Sequence, residues 1–263
     1  MKTSLTRILK ALCVTAAVTV LSACGGASST VDPFRPTRVI GLGDSYALAT
    51  NSVVSQVAAN FGQSNVISNA DASARIDGLS TQIANIPGGV TSTDLVVISV
   101  GTNDLKGGML QVDFATKVGT VVAQIQGLLG TVKHVLVMPV LDVSRTPWGR
   151  SNNFDTSATG AFNAQLLTQL SANFGSRKPN PVLYGDAGLS PISSQFLGMT
   201  YSASPVWVSP FNQYDFYTAC NSCLLTASLF DTTPTTGSDT YLTTTGMQWA
   251  GNLLYNATAQ GWR

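Results

Sequence analysis

Asp94 to Val100 reads DLVVISV, and five of its seven residues are apolar without alternation. A strand with one wet face alternates apolar and polar side chains. A run like this one is covered on both faces, which is the habit of a parallel sheet between two layers of helices. His134–Val140 (HVLVMPV) is a second such run. Shorter strand-like pieces lie at Thr37–Leu42, Asn65–Ser68 and Pro181–Tyr184. Helix-like segments separate them: Val53–Phe61, Leu79–Ile86 (ended by Pro87-Gly88-Gly89), Val112–Leu129 and Phe154–Phe174. The last of these places Phe162, Leu166, Leu170 and Phe174 on one helical face. Thr243 or Thr244 can cap a C-terminal helix running to about residue 259, with Met247, Ala250, Leu254 and Tyr255 turned inward. Strand–helix alternation predicts an α/β fold, a central parallel sheet with helices on both faces.

The first 23 residues stand apart. Lys2, Arg7 and Lys10 make a basic start, and Ala11–Leu21 is apolar but too short to span a bilayer stably. Leu21-Ser22-Ala23-Cys24 follows. This is the pattern of a signal peptide, and its ending resembles a bacterial lipobox. That resemblance implies cleavage before Cys24 and lipid attachment to its sulfur, placing the protein in the bacterial cell envelope on the membrane. Residues 24–37, polar and small with two prolines, read as a tether. Residues 38–263 then form one domain, long enough for a sizeable core. Beyond the signal segment, 11 Lys and Arg face 13 Asp, with no Glu anywhere. Without a basic run, nucleic acid is not an expected partner. Cys220 and Cys223 remain; an oxidising compartment favours a local disulfide between them, with free thiols the alternative. Residues 185–238 interrupt the strand–helix rhythm, and a segment of that length is usually functional. Within it, Pro205–Tyr217 is aromatic-rich and can line an apolar pocket or form a satellite core.

In open parallel sheets, ligands bind beyond the carboxyl ends of the strands. Gly43-Asp44-Ser45 follows the first strand, Asp71-Ala72-Ser73-Ala74-Arg75 the second, and Gly101-Thr102-Asn103-Asp104 follows DLVVISV. A hydroxyl, a turn of small residues and a carboxamide therefore meet on one rim. A serine nucleophile needs donors aimed at the oxyanion it creates. The N–H groups at Ser45 and at the Ser73-Ala74 turn, with the Asn103 amide, are the candidates. No G-x-S-x-G elbow exists, so the α/β-hydrolase plan does not apply.

GLGDSY and VVISVGTNDL resemble the first and third blocks of the GDSL, or SGNH, family of serine esterases and lipases. HVLVMPVLDVSRTP and FNAQL (Phe162–Leu166) resemble later segments of its phospholipase and lecithinase branch. The resemblance covers about Val39 to Ala259. It implies a three-layer α/β/α sandwich of flavodoxin-like type, no metal or organic cofactor, Ser45 as nucleophile and Asn103 as oxyanion donor. Two blocks depart from the pattern. Ser73 stands where the family carries a glycine whose N–H faces the oxyanion. The last block, which carries Asp-x-x-His, reads GSDTYLTTTGMQWAG here, placing Tyr241 at the histidine position. A shift by one residue places Leu242 there and makes Asp239 the matching acid, and neither alignment supplies an imidazole.

The chain has a single histidine, His134. It opens its strand, whereas Ser45 lies past the end of another, which puts it about 20 Å from the site. Two functions follow. One is an exported, lipid-anchored hydrolase of acyl or acetyl esters whose proton acceptor is Tyr241, Asp239, a substrate group or water. The other is a catalytically impaired relative that binds a lipid, glycan or wall ester at the membrane.

Overall fold

The computed structural model describes residues 34–146, 148–149, 152–155, 157–176, 181–184, 206–208, 211–214, 246–248, 250–252 and 254–255. Five strands form the central sheet: β1 (Val39–Gly43), β2 (Val66–Ser68), β3 (Leu95–Ser99), β4 (His134–Val137) and β5 (Val182–Tyr184). All pair in parallel, in the order β2-β1-β3-β4-β5. The helices are α1 (Val53–Asn60), α2 (Leu79–Ala84), α3 (Thr102–Lys106), α4 (Phe114–Leu128) and α5 (Ala158–Phe174), with further helical residues between 246 and 255.

The period-2 pleat divides the apolar strands between two cores. Val39, Leu95, Val97 and Leu136 face one side, where Val53, Val54 and Val57 of α1 meet Met247, Ala250 and Leu254. Ile40, Leu42, Val96, Ile98, Val135 and Val137 face the other, against Leu79 of α2, the apolar stripe of α4 and Phe162, Leu166, Leu170 and Phe174 of α5. This is the three-layer α/β/α sandwich the alternation predicts. Each fully buried Val, Leu or Ile contributes about 1.5–3 kcal/mol relative to exposure, so two continuous layers of them hold the sheet. Tyr255 is half-buried and meets Phe61 edge-on, with ring centres 4.9 Å apart.

Observed elements are shorter than the sequence pattern suggests, because their first and last residues serve as caps and ties. Asp94 does not enter β3; its fully buried carboxylate takes a two-pronged bond from Arg38 (2.8 Å at each oxygen). α5 starts at Ala158 rather than Phe154, and a 3-10 turn at Gln111–Asp113 replaces the expected start of α4. In α1, Ser52 and Ser55 form a reciprocal cap: each hydroxyl accepts the other's backbone N–H at 3.0 Å. Two elements were not anticipated. One is the five-residue α3 directly after the β3 turn. The other is an antiparallel pair, β6 (Val206–Val208) with β7 (Phe211–Tyr214), inside the aromatic-rich stretch.

Candidate active site

The strand order reverses between β1 and β3, which is where such sheets open a crevice at their carboxyl ends. β1 leaves the sheet through Gly43, whose φ is +114°. A Cβ there would fall 1.7 Å from the Ser99 carbonyl oxygen, so only glycine fits. Asp44 then donates its N–H to that same oxygen (2.8 Å) and caps a 3-10 turn, Ser45–Ala47. Asp44 Oδ1 accepts the Tyr46 N–H (3.2 Å) and the Ser99 hydroxyl (2.8 Å). The carboxyl is wholly buried, and Oδ2 completes no hydrogen bond among the described residues. Burial pushes its pKa up to about 6, against the bonds from Ser99 and Tyr46 and a weaker influence of the Thr102 side chain. Ser45 is half-buried. Its Oγ makes no hydrogen bond among the described residues, and its N–H, first in the turn, has no partner within that turn.

β3 leaves through Gly101, at φ +113°, and α3 carries Asn103. The two N–H bonds of the Asn103 carboxamide run to the carbonyls of Ala72 and Ala74, each at 2.9 Å. Asp104, nearly buried, accepts the Ile76 N–H (3.0 Å), and burial raises its pKa. The loop after β2 is thus held from the β3 side. It is also held from β1: Asn69 N–H donates to Gly41 O (3.2 Å) and Asp71 N–H to Gly43 O (2.9 Å). Inside the loop, Asp71 Oδ1 accepts both the hydroxyl (2.5 Å) and the N–H (2.7 Å) of Ser73, which hold its carboxyl below the usual range. Ala74 N–H closes on Asp71 O at 2.9 Å. A cavity of about 360 Å³ opens beside this loop, lined by Asn69, Ala70, Asp71, Thr81, Gln82 and Asn85.

Solved structures share the fold of this chain. The chain is similar to an acylhydrolase, so proposed, from Bacteroides fragilis, at 16% identity and TM-score 0.50 over 90% of this chain and 95% of that one. A member of the lipolytic protein G-D-S-L family from Veillonella parvula matches at 13% identity and TM-score 0.50, over 82% and 94% of the two chains. So does an alpha/beta hydrolase enzyme from the metagenome of Lake Arreo, at 13% and 0.50, over 84% and 94%. The chain has the GDSL/SGNH hydrolase fold. No protein-family model matches it, and no curated protein matches it in sequence.

Within the SGNH fold, Ser45, Ser73 and Asn103 stand on the same rim. The donors expected to converge on an oxyanion are differently disposed. Ser73 N–H, Ala74 N–H and both Asn103 N–H bonds are committed to the rim's own oxygens, because the small residues of the loop let it fold onto Asp71 and under α3. Of these donors, the Ser45 N–H alone makes no hydrogen bond among the described residues. His134 lies where its strand position predicts: it pairs with Leu95, which pairs with Val39. That is four residues, about 13 Å, short of the level of Gly43, at the opposite edge of the sheet. It stacks on Phe34 at 3.7 Å, and burial, then Lys133, lowers its pKa to about 4. Asp239, Tyr241, Cys24, Cys220 and Cys223 lie outside the described residues. One residue of the site escaped the motif search altogether. Gln82, inside α2, bonds the backbone of Gly43 at both its N–H and its carbonyl. A glutamine in a helix carries no motif, so only the fold reveals it.

Proposed function

We propose that the protein is an exported serine hydrolase of acyl or acetyl esters, tethered to the bacterial envelope through lipidated Cys24. The observation that carries this reading is the placement of Ser45. It follows β1 at the switch point of the sheet, half-buried, with its hydroxyl and N–H uncommitted among the described residues and the Asn103 loop on the same rim. Ser45 Oγ attacks the ester carbon, the alcohol leaves, and water releases the acyl group from the serine. The Ser45 N–H receives the oxyanion, joined by the Asn103 amide when it turns from the loop carbonyls. The proton goes to Tyr241, Asp239, a substrate group or water. Lacking an imidazole, turnover is slow; loss of the histidine in a serine hydrolase can lower it on the order of a million-fold.

A second reading is favoured by the donors that the loop itself occupies: a non-catalytic SGNH relative that holds a lipid, glycan or wall ester near the membrane. The two separate in one experiment. The protein is treated with a fluorophosphonate probe and with short p-nitrophenyl esters, beside Ser45→Ala. Labelling and turnover that vanish in Ser45→Ala support the hydrolase. Ligand binding untouched by Ser45→Ala, with no turnover in either protein, supports the binding protein.

A further inference from the structure

We propose that Gln82 is a positioning residue that fixes the backbone of the Ser45 turn, a role that rests on the hydrolase reading for its catalytic consequence. Gly43 must be glycine, since Ser99 O occupies the space of a Cβ. Glycine, however, does not enforce its own conformation. The φ of +114° at Gly43 sets the direction in which Asp44 and Ser45 leave the sheet, so something outside residue 43 has to hold it.

β2 does so only in part. Its pairing with β1 stops at Gly41 and Ser68, two residues short of Gly43. The N–H and C=O of Gly43 both point toward that side, since a strand residue presents both groups to one neighbour; the Asp71 N–H still reaches the carbonyl (2.9 Å), but the chain after β2 supplies no acceptor for the N–H. Gln82 supplies that acceptor and a second donor to the carbonyl. Its Oε1 accepts the Gly43 N–H (2.5 Å), and its Nε2 donates to the Gly43 carbonyl (3.0 Å). A carboxamide has the donor and acceptor of a peptide group, so the side chain acts as one further residue of β2. It pins the atoms on either side of the φ and ψ of Gly43. Gln82 is itself held: it is 8% exposed, and its main-chain carbonyl accepts Asn69 Nδ2 at 2.8 Å. Asn69 in turn donates its N–H to Gly41 O. The rigid path therefore runs from β1, through Asn69 and α2, back to the glycine two residues before the nucleophile.

The requirement is chemically narrow. Methionine matches the length and offers neither bond. Ionised glutamate accepts from the Gly43 N–H but cannot donate to its carbonyl, whereas protonated glutamate can do both. Two readouts test the role. The first is amide hydrogen exchange in peptides covering Gly41–Leu48. The second is the kinetics of Ser45 labelling by the fluorophosphonate, resolved into probe affinity and maximal rate. Gln82→Met is expected to speed exchange in that segment about tenfold or more and to lower the maximal labelling rate about 10- to 100-fold, with affinity unchanged, as expected for a displacement near 1 Å. Unchanged exchange overturns the proposal, and so does faster exchange with labelling at the wild-type rate. If the wild-type serine is never labelled, the hydrolase reading falls and the exchange result alone decides whether Gln82 holds the turn. Should Gln82→Met fail to fold, Gln82→Glu decides: its labelling rate relative to wild type rises as pH falls and the buried carboxyl takes up its proton. A ratio that stays level with pH refutes the role.

Discussion

Asp44 offers a test of the turn that needs no substrate. Its carboxyl is wholly buried, one oxygen has no hydrogen-bond partner among the described residues, and its pKa rises from 3.8 to about 6 with burial as the main cause. For an acid raised on folding, the favourable contribution is complete below the unfolded pKa and is lost as pH rises through the folded one. At pH 7 and above, ionised Asp44 therefore costs the fold about 3 kcal/mol, at 1.36 kcal/mol for each factor of ten in proton affinity. Asp44→Asn keeps an acceptor for the Ser99 hydroxyl and the Tyr46 N–H and cannot ionise. Its absolute effect also contains the burial of a new N–H pair, worth about 1–3 kcal/mol if unsatisfied, so one pH does not isolate the charge. The slope does. Asp104, raised in the same direction, and His134, lowered, are present in both proteins and cancel in the difference. Urea unfolding of both proteins between about pH 4 and 8 should show the variant gaining on the wild type by about 2 kcal/mol as pH rises. A difference curve that is level, or that falls with pH, refutes the assignment of a buried carboxylate of raised pKa beside Ser45.

His134 has the opposite sign. Its folded pKa of about 4 lies below its ordinary 6.5, so its contribution is present above 6.5 and lost as pH falls toward 4. His134→Phe keeps the stack on Phe34 and removes that loss. Acid unfolding should move to lower pH by an amount equivalent to about 1–2 kcal/mol after discounting for partial exposure, and Ser45 labelling should be unchanged. Gly101→Ala and Gly62→Ala separate backbone strain from collision. Both have positive φ, but a Cβ at Gly101 meets the Phe162 ring at 2.7 Å, while at Gly62 nothing lies within 4 Å. Thermal unfolding should show a loss of about 1 kcal/mol for Gly62→Ala and about 3 kcal/mol or more for Gly101→Ala. Equal losses would sink the packing argument.

The sheet was legible because burial leaves a compositional trace. DLVVISV and HVLVMPV are apolar on both sides of the pleat, and the structure gives each side its own helix layer. The rim was legible in position and not in bonding. Ser45, Ser73 and Asn103 follow from where strands end, but the direction of an amide does not. The side chain of Asn103 turns to the carbonyls of Ala72 and Ala74, which the folding of the loop on Asp71 brings within its reach. α3 escaped notice because five residues show no helical period, and β6–β7 because a short hairpin lacks the apolar run of a core strand. Gln82 was invisible for a different reason. Its bonds depend on β2 ending at Ser68, which leaves the Gly43 N–H without an acceptor from that strand, a property of register that no residue type announces.

On the hydrolase reading, the committed donors and the want of an imidazole would not weigh equally on catalysis. A neutral hydrogen bond contributes about 0.5–1.5 kcal/mol net, so freeing Asn103 from both carbonyls costs about 1–3 kcal/mol. An oxyanion-hole donor recovers about 2.7–4 kcal/mol at the transition state, so a forming oxyanion can outcompete the loop. The base is another matter: a million-fold corresponds to roughly 8 kcal/mol. On the proposed hydrolase reading, the identity of the proton acceptor would therefore decide the rate, with the loop a smaller influence. Tyr241→His, at the position the family resemblance gives to the histidine, should raise ester turnover by several orders of magnitude. Ser73→Ala, which removes one tie of the loop to Asp71, should change it less than about tenfold. If Ser73→Ala proved the more activating of the two, the donor geometry rather than the base would limit this rim.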